Sequence, residues 1–347
     1  MSVRIALFGT GNVGRALLAR IEALQHTPRG ARLVLAYAAN TRRDAGDFAD
    51  ANVIVDATAS DEVAARHAAW LARGLHVVTA NKSGQGASLV RWQAIADAMR
   101  DSGAHYGDAA TVGAGLPLLR SLRALRDGGD GIGAIAGVLS GSFAWLLGRY
   151  DGTTPFSDLV REARGAGFTE PDPRIDLSGE DVRRKLLILA RSAGVALEHD
   201  AVDVAALASP ALDAARTPAE IDAALPSLDA ALQARFAAAS AQGRRLHLVA
   251  RWDPAGGARV GIEALPPDDP LAGGLGTDNR VAFRSARYAD RPHVIQGPGA
   301  GAGVTAAALL DDVLAIGDAL ARQEPASTAS AARSAKKLSI DCGRLIA

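Results

Sequence analysis

Residues 167–185, GFTEPDPRIDLSGEDVRRK, crowd five carboxylates (Glu170, Asp172, Asp176, Glu180, Asp181) upstream of Lys185, in a stretch stiffened by Pro171 and Pro173. Like charges this close repel, so the segment is either a solvated loop or a set of acids converging on a cation. Asp181 and Lys185 are four apart and therefore neighbours on one helix face. Alone, such a pair is an ordinary surface salt bridge, worth well under about 1 kcal/mol. Glu170 and Asp176, on the rigid EPDPR turn, are placed to close on the same lysine. Carboxylates around a lysine favour its charged form, which can donate a proton to a carbonyl receiving hydride. Spare carboxylates can bind a substrate ammonium. The chemistry so assembled is reduction of a small amino-aldehyde, with Asp172 and Glu180 left as turn and helix-start residues.

A hydride needs a carrier. FGTGNVG places Gly9, Gly11 and Gly14 in the G-x-G-x-x-G spacing, directly after a strand pattern and opening a helical one. The first glycine permits the turn, the second lets backbone approach a pyrophosphate, and the third lets helix pack on strand. An acid about 20 residues further on, which would select NAD through the ribose hydroxyls, is missing. The chain instead reads AYAANTRR, so Asn40, Thr41, Arg42 and Arg43 suit a 2′-phosphate and NADP. VDATAS and TANKSG end later strands and bring Asp56, Thr58, Asn81 and Lys82 to the same carboxyl edge.

The elements that must position these residues follow from periodicity. VRIALFG (3–9), ARLVLAYAA (31–39), NVIVDAT (52–58) and LHVVTAN (75–81) read as strands, with helical VGRALLARIEALQ and DEVAARHAAWLARG between them. Such alternation predicts a parallel sheet covered on both faces, a Rossmann-type nucleotide domain over residues 1–130. After GAGLPLLRSLRALRDGG the pattern becomes mixed α+β, giving a catalytic and dimerisation domain over 131–295. Helices are expected near 155–166, 180–193 and through the alanine-rich 201–240, and strands near 244–263 and 280–296. In the second helix Ser178 is the expected cap, with Gly179, Glu180 and Asp181 in the first turn and Gly194 at the end. Val182, Leu186, Leu189 and Ala193 form its buried stripe. A strand, glycine turn and helix over VIQGPGAGAGVTAAALLDDVLAIGDAL are expected to return to the nucleotide domain (about 296–322), and a small, polar tail fills 323–347.

Composition narrows the function classes. Lysine plus arginine balances aspartate plus glutamate at 38 each, so no bulk field draws in nucleic acid or an anionic membrane. One cysteine, Cys342, allows neither a disulfide framework nor a thiolate zinc site, and the seven histidines show no ligand spacing. His293, before the late glycine turn, reads as structural. No window reaches the roughly 18 apolar residues of a membrane span, so the cytoplasm is the expected address.

The segment from Ala163 to Lys185, AxxxGFTxxDPxxDLxGxDxxxK, resembles the signature of homoserine dehydrogenases. FGTGNVG, VVTANKSG, TVGAGLPLLRSL, GVLSGSF, GTDNRVAF and GPGAGAGVTAA resemble further blocks of that family in the family's order, covering residues 2–320. The resemblance implies NAD(P)-dependent interconversion of L-homoserine and L-aspartate 4-semialdehyde, on a Rossmann domain joined to an α+β domain that dimerises. Carried over by position, Lys185 resembles the proton donor, Glu170 and Asp181 the substrate-binding acids, and Asp176 a further acid. Asn12, Val13, Thr58, Lys82 and Gly301 resemble cofactor contacts, and Gly141 and Ser142 a substrate-facing turn.

Three departures accompany the resemblance. Phe168 stands where many relatives have tyrosine. Ala109 stands where some members supply a glutamate to a monovalent cation such as Na+, leaving the carbonyls of Val112, Ala114 and Leu116, with Asp108 beside them. There is no room for an aspartokinase or an ACT domain, so no feedback by threonine is expected. Two rivals are weighed. An acylating semialdehyde dehydrogenase needs a nucleophilic cysteine, which Cys342 in the tail does not supply. An NADP-sensing regulator needs a partner-binding or basic DNA-binding module, and none is legible.

Overall fold

The computed structural model describes residues 2–40, 48–274 and 276–323. Arg42, its neighbours Thr41 and Arg43, Cys342 and the expected tail beyond Gln323 lie outside them.

β1 (Val3–Phe8), α1 (Asn12–Leu24), β2 (Leu33–Ala39), β3 (Val53–Asp56), α2 (Asp61–Ala65), α3 (His67–Ala72), β4 (His76–Thr79), α4 (Leu89–Ser102) and β5 (Tyr106–Gly107) build the first sheet and its cover. Its strands run in the order β2-β1-β3-β4-β5, every pair parallel. β3 and β4 are buried at every position, as strands covered on both faces must be. On one face Phe8, Ile54 and Val77 pack with Trp70 and Leu71 of α3 and Ile95 of α4. On the other, Ile5, Leu7 and Val55 pack with Leu17 and Ile21 of α1. The single helix expected over DEVAARHAAWLARG is interrupted at Arg66, between α2 and α3.

The chain then turns through VGAGLP into α5 (Leu118–Asp127), whose Leu118, Leu119 and Leu122 enter a different core. β6 (Ile132–Val138), α6 (Gly141–Arg149), α7 (Phe156–Gly165), α8 (Arg174–Leu177) and α9 (Glu180–Ser192) follow. Next come β7 (Val202–Val204), α10 (Pro210–Ala214), α11 (Pro218–Ala224), α12 (Asp229–Ser240), β8 (Arg245–Asp253), β9 (Gly257–Leu265), β10 (Asp278–Ser285) and β11 (His293–Pro298). The helical region expected over 201–240 is thus corrected in two ways. It opens on a short strand, because Val202–Val204 pairs in parallel with β9. It is also cut by Pro210, Pro218 and Pro226, each opening a new helical segment where its missing N–H costs nothing.

The second sheet runs β11-β10-β6-β8-β9-β7 and is antiparallel apart from the β7–β9 pair. One face lies under α6, α7, α9 and α12 through Phe143, Leu146, Val160, Leu186, Leu189 and Leu232. β11 therefore closes the second sheet. The helix after it, α13 (Ala302–Gln323), crosses back, and its Ala306, Leu309, Val313 and Ile316 fill the first core against α1. The architecture is α/β: a Rossmann-type parallel sheet joined to a mixed α+β layer.

Candidate active site

α9 is polar at its start and buried from Lys185 to Ser192. Gly179, at φ +74, takes the cap position, while the Ser178 hydroxyl just before it accepts from Glu180 N at 3.2 Å and donates to the Ile175 carbonyl. The turn leaves Asp181 on the rim and carries Lys185, only 9 % exposed, beneath it. Lys185 Nζ donates to the Leu139 carbonyl at 2.7 Å and lies 2.7 Å from Asp181 Oδ2. Leu139 follows the last residue of β6, so the lysine is pinned between the helix that bears it and the end of the second sheet.

The expected ring of acids around Lys185 is corrected. Asp181 alone among them pairs with it, and Asp181 Oδ1 also receives Lys82 Nζ at 3.2 Å. One carboxylate bridges two ammonium groups; the cage is reversed. Burial resists ionisation of Asp181, but the charges of Lys185 and then Lys82 outweigh it and hold the carboxyl well below the usual carboxylate range. Its side chain is still 50 % exposed, so solvent screens both pairs.

Asp176 acts elsewhere. Its Oδ1 accepts from Ser142 Oγ at 2.7 Å and its Oδ2 from the Glu170 backbone N–H at 2.9 Å. A short helix, α8, thereby ties the start of α6 to the loop that bears Glu170, whose side chain is exposed. The Ser140 side chain caps α6 by accepting from Phe143 N. Gly141 faces Thr277, which a β-carbon there would meet at 3.4 Å. Phe168 stacks on Trp145, ring centroids 5.0 Å apart, with the Arg149 guanidinium 4.8 Å from the same indole. The remaining acids are structural: Asp172 holds Arg174, and Glu180 holds Arg183, Arg184 and His199.

Around the glycine loop the geometry is that of an anion cradle. Gly11 caps α1 without a side-chain hydrogen bond, no acid lies in the first turn, and a β-carbon on Gly11 would meet nothing within 4 Å. A β-carbon on Gly14 would instead lie 2.0 Å from the Gly9 carbonyl oxygen, so only glycine lets α1 approach β1 this closely. Asn12 and Val13 begin the helix, and the Asn12 side chain accepts from Arg15. Asn40, past the end of β2, donates to Thr10 Oγ1. Thr58 donates twice to Asp56 Oδ1, from its backbone N–H at 2.9 Å and its hydroxyl at 2.7 Å. Gly301, at φ +123, precedes α13, and Val304 of that helix faces Gly115.

Two groups were invisible to sequence reasoning. His67 is buried between Asp56 and Tyr106, and no spacing announces it because its partners come from other strands. Leu139 serves through its backbone, which any residue type could supply. His293 stacks on Tyr288, a structural contact.

The VGAGLP turn does not assemble a carboxylate for a cation. Ala109 has none, and both oxygens of buried Asp108 are taken by Arg123 at 2.8 and 2.6 Å. The Leu116 carbonyl already accepts from Leu118 N, while Ala114 takes φ +49. Val112 is fully buried. Among the described residues no group of three or more His, Cys, Asp or Glu is placed to hold a metal ion. A cavity of about 820 Å3 is lined by Trp145, Arg149, Phe236 and His247, and Lys185, Asp181, Asp176 and Glu170 do not line it. No helix among the described residues is long and apolar enough to cross a membrane.

The family model described as homoserine dehydrogenase matches residues 117–314, and that of the homoserine dehydrogenase NAD binding domain matches residues 9–107. Over 349 aligned residues the chain is 38 % identical to the bifunctional aspartokinase/homoserine dehydrogenase 2 of Escherichia coli (strain K12), covering 90 % of this chain and 43 % of that protein. It is 37 % identical to a homoserine dehydrogenase of Schizosaccharomyces pombe, covering 76 % of this chain and 72 % of the relative. A crystal structure of a Candida auris protein of unknown function superposes with a TM-score of 0.82 at 30 % identity, covering 91 % of this chain and 98 % of that one. The chain spans less than half the length of the bifunctional relatives it matches. Two matched segments that take in most of the first sheet and all of the second, and a relative matched over most of its length, place this chain in the homoserine dehydrogenase family.

Proposed function

We propose that the chain interconverts L-homoserine and L-aspartate 4-semialdehyde, using NADP in preference to NAD. The observation that carries this reading is Lys185, fixed at 2.7 Å by both Asp181 and the Leu139 carbonyl. A lysine ammonium has three N–H donors, and these two contacts leave one for a substrate oxygen. A bound nicotinamide supplies hydride to the aldehyde carbon and accepts it in the reverse direction. Lys185 donates a proton to the oxygen as negative charge develops there, and recovers it when homoserine is oxidised. Asp181, kept ionised by two lysines, orients Lys185 and draws Lys82 to the same place.

Glu170, exposed on the loop that Asp176 anchors, binds the substrate α-ammonium. Ser142 and the backbone of Gly141 face the rest of the substrate, and Asp176 holds both binding segments in register. The glycine loop of Gly9, Gly11 and Gly14, with Asn12 and Val13, would receive the dinucleotide phosphates at the uncapped start of α1. Thr58, Lys82 and Gly301 border the nicotinamide end. Asn40, with Arg42, would favour a 2′-phosphate, supported by the lack of an acid at the end of β2. A homodimer through the second sheet belongs to the same reading and rests on the family resemblance.

The test is steady-state oxidation of L-homoserine by the purified protein with NAD and NADP side by side. Turnover with a larger kcat/KM for NADP is expected. No turnover with either cofactor refutes the activity, and a preference for NAD refutes the cofactor assignment alone.

A further inference from the structure

Beneath the loop that carries Lys82 lies a buried polar cluster with no part in the chemistry above. Asp56, at the end of β3, and His67, opening α3, are both 0 % exposed. His67 Nε2 is 3.0 Å from Asp56 Oδ2, and His67 Nδ1 is 2.9 Å from Tyr106 Oη on β5. Asp56 Oδ2 also accepts from Asn81 Nδ2 at 3.0 Å, while Oδ1 takes both Thr58 donors. A buried carboxylate accepting from four donors is satisfied without a cation.

Proton placement follows from these partners. An ionised Asp56 only accepts, so His67 carries hydrogen on Nε2. Burial, foremost, with the charges of Asp108 and Asp56, pushes the Tyr106 phenol well above its ordinary value. Tyr106 therefore keeps its proton and donates it to His67 Nδ1. One imidazole thus joins the end of β3 to the start of β5, and Asn81, just past β4, joins them through Asp56.

The loop after β4 is draped on this cluster. Asn81 precedes Lys82, and its side chain both donates to Asp56 and accepts from Ser83 N at 3.0 Å. Gly86 N closes the loop on the Lys82 carbonyl at 2.7 Å. A β-carbon on Gly84 would fall 2.3 Å from Tyr106 Oη and 3.0 Å from His67 Nδ1, so the loop rests directly on that pair. At its tip Lys82 reaches Asp181.

We propose that His67 is a positioning residue for the reaction: through Asp56 and Asn81 it sets the loop that carries Lys82, and so the contact of Lys82 with Asp181. The inference rests on the reading of Lys82 and Asp181 as parts of the reaction site.

A double-mutant cycle on the full chain tests it, with His67→Phe, Lys82→Met and their combination, read as kcat/KM for homoserine and as melting temperature. Tyr106→Phe, which removes one hydroxyl, runs the same cycle should His67→Phe fail to fold. In the wild-type background His67→Phe is expected to lower kcat/KM about tenfold and Tyr106→Phe about threefold; in the Lys82→Met background each should cost less than about twofold, the non-additivity of groups acting as one unit. Equal losses in both backgrounds, with Lys82→Met itself impaired, overturn the positioning role and leave the site assignment standing. A Lys82→Met enzyme with wild-type turnover overturns the place of Lys82 in the reaction, and the proposal with it.

Discussion

Replacing Lys185 by methionine isolates the proton from the fold. The side chain is buried, and methionine fills nearly the same volume with no charge. The Leu139 carbonyl loses one donor, a cost of about 1 kcal/mol. Asp181 keeps Lys82 at 3.2 Å, so no carboxylate is stranded. Stability should therefore fall by no more than about 1–2 kcal/mol. The substrate-binding groups tied together by Asp176 do not touch Lys185, so KM for homoserine should move by less than about threefold. The rate should behave differently. The third N–H of Lys185 is the donor assigned to the reacting oxygen, and a lost general acid costs about 10²- to 10⁴-fold, equivalent to about 2.7–5.5 kcal/mol in the barrier. The assay is reduction of aspartate semialdehyde followed by nicotinamide absorbance in single turnovers, beside a thermal melt. A folded Lys185→Met enzyme whose hydride-transfer rate stays within about threefold of wild type would refute the assignment.

Asp176→Ala releases Ser142 Oγ and the Glu170 N–H together. KM for homoserine is expected to rise about tenfold or more with a smaller fall in kcat, and an unchanged KM in steady-state assays would count against the anchoring role. The Asp181 pairs also predict a pH dependence. A carboxyl whose folded pKa lies below its unfolded value of about 3.9 contributes stability above that value and loses it as pH falls through the folded pKa. Denaturant melts from neutral pH down to about pH 3 should thus show the Asp181→Asn deficit full near neutrality and shrinking below about pH 4. A deficit that grows on acidification would reverse the sign of the argument.

Local rules reach some parts of this molecule and stop short of others. β1, β3 and β4 are short and rich in apolar, β-branched residues, and the turn after β1 carries glycine at Gly9 and Gly14, where a β-carbon would collide, so the parallel sheet and its glycine turn are written in neighbouring residues. The same holds for the pairing of Asp181 with Lys185, one helical turn apart. The alanine-rich stretch over 201–240 misleads because helix propensity is high throughout it, whereas β7 is a strand only because β9 lies beside it.

By itself the sequence determined the fold class, the glycine loop and the pairing of Lys185 with Asp181, because the strand and turn patterns and that i, i+4 pair are set by residues a few positions apart. Tertiary structure alone decided how the charges are shared. Lys82 and Asp181 are nearly a hundred positions apart yet meet at 3.2 Å, which turns an expected ring of acids around one lysine into one acid between two. It also decided that Asp176 serves Ser142 and Glu170, and that His67 joins β3 to β5. The physical reason is that an ion pair or hydrogen bond depends on separations of about 3 Å in space, and only the tertiary packing of the elements fixes which distant groups come that close.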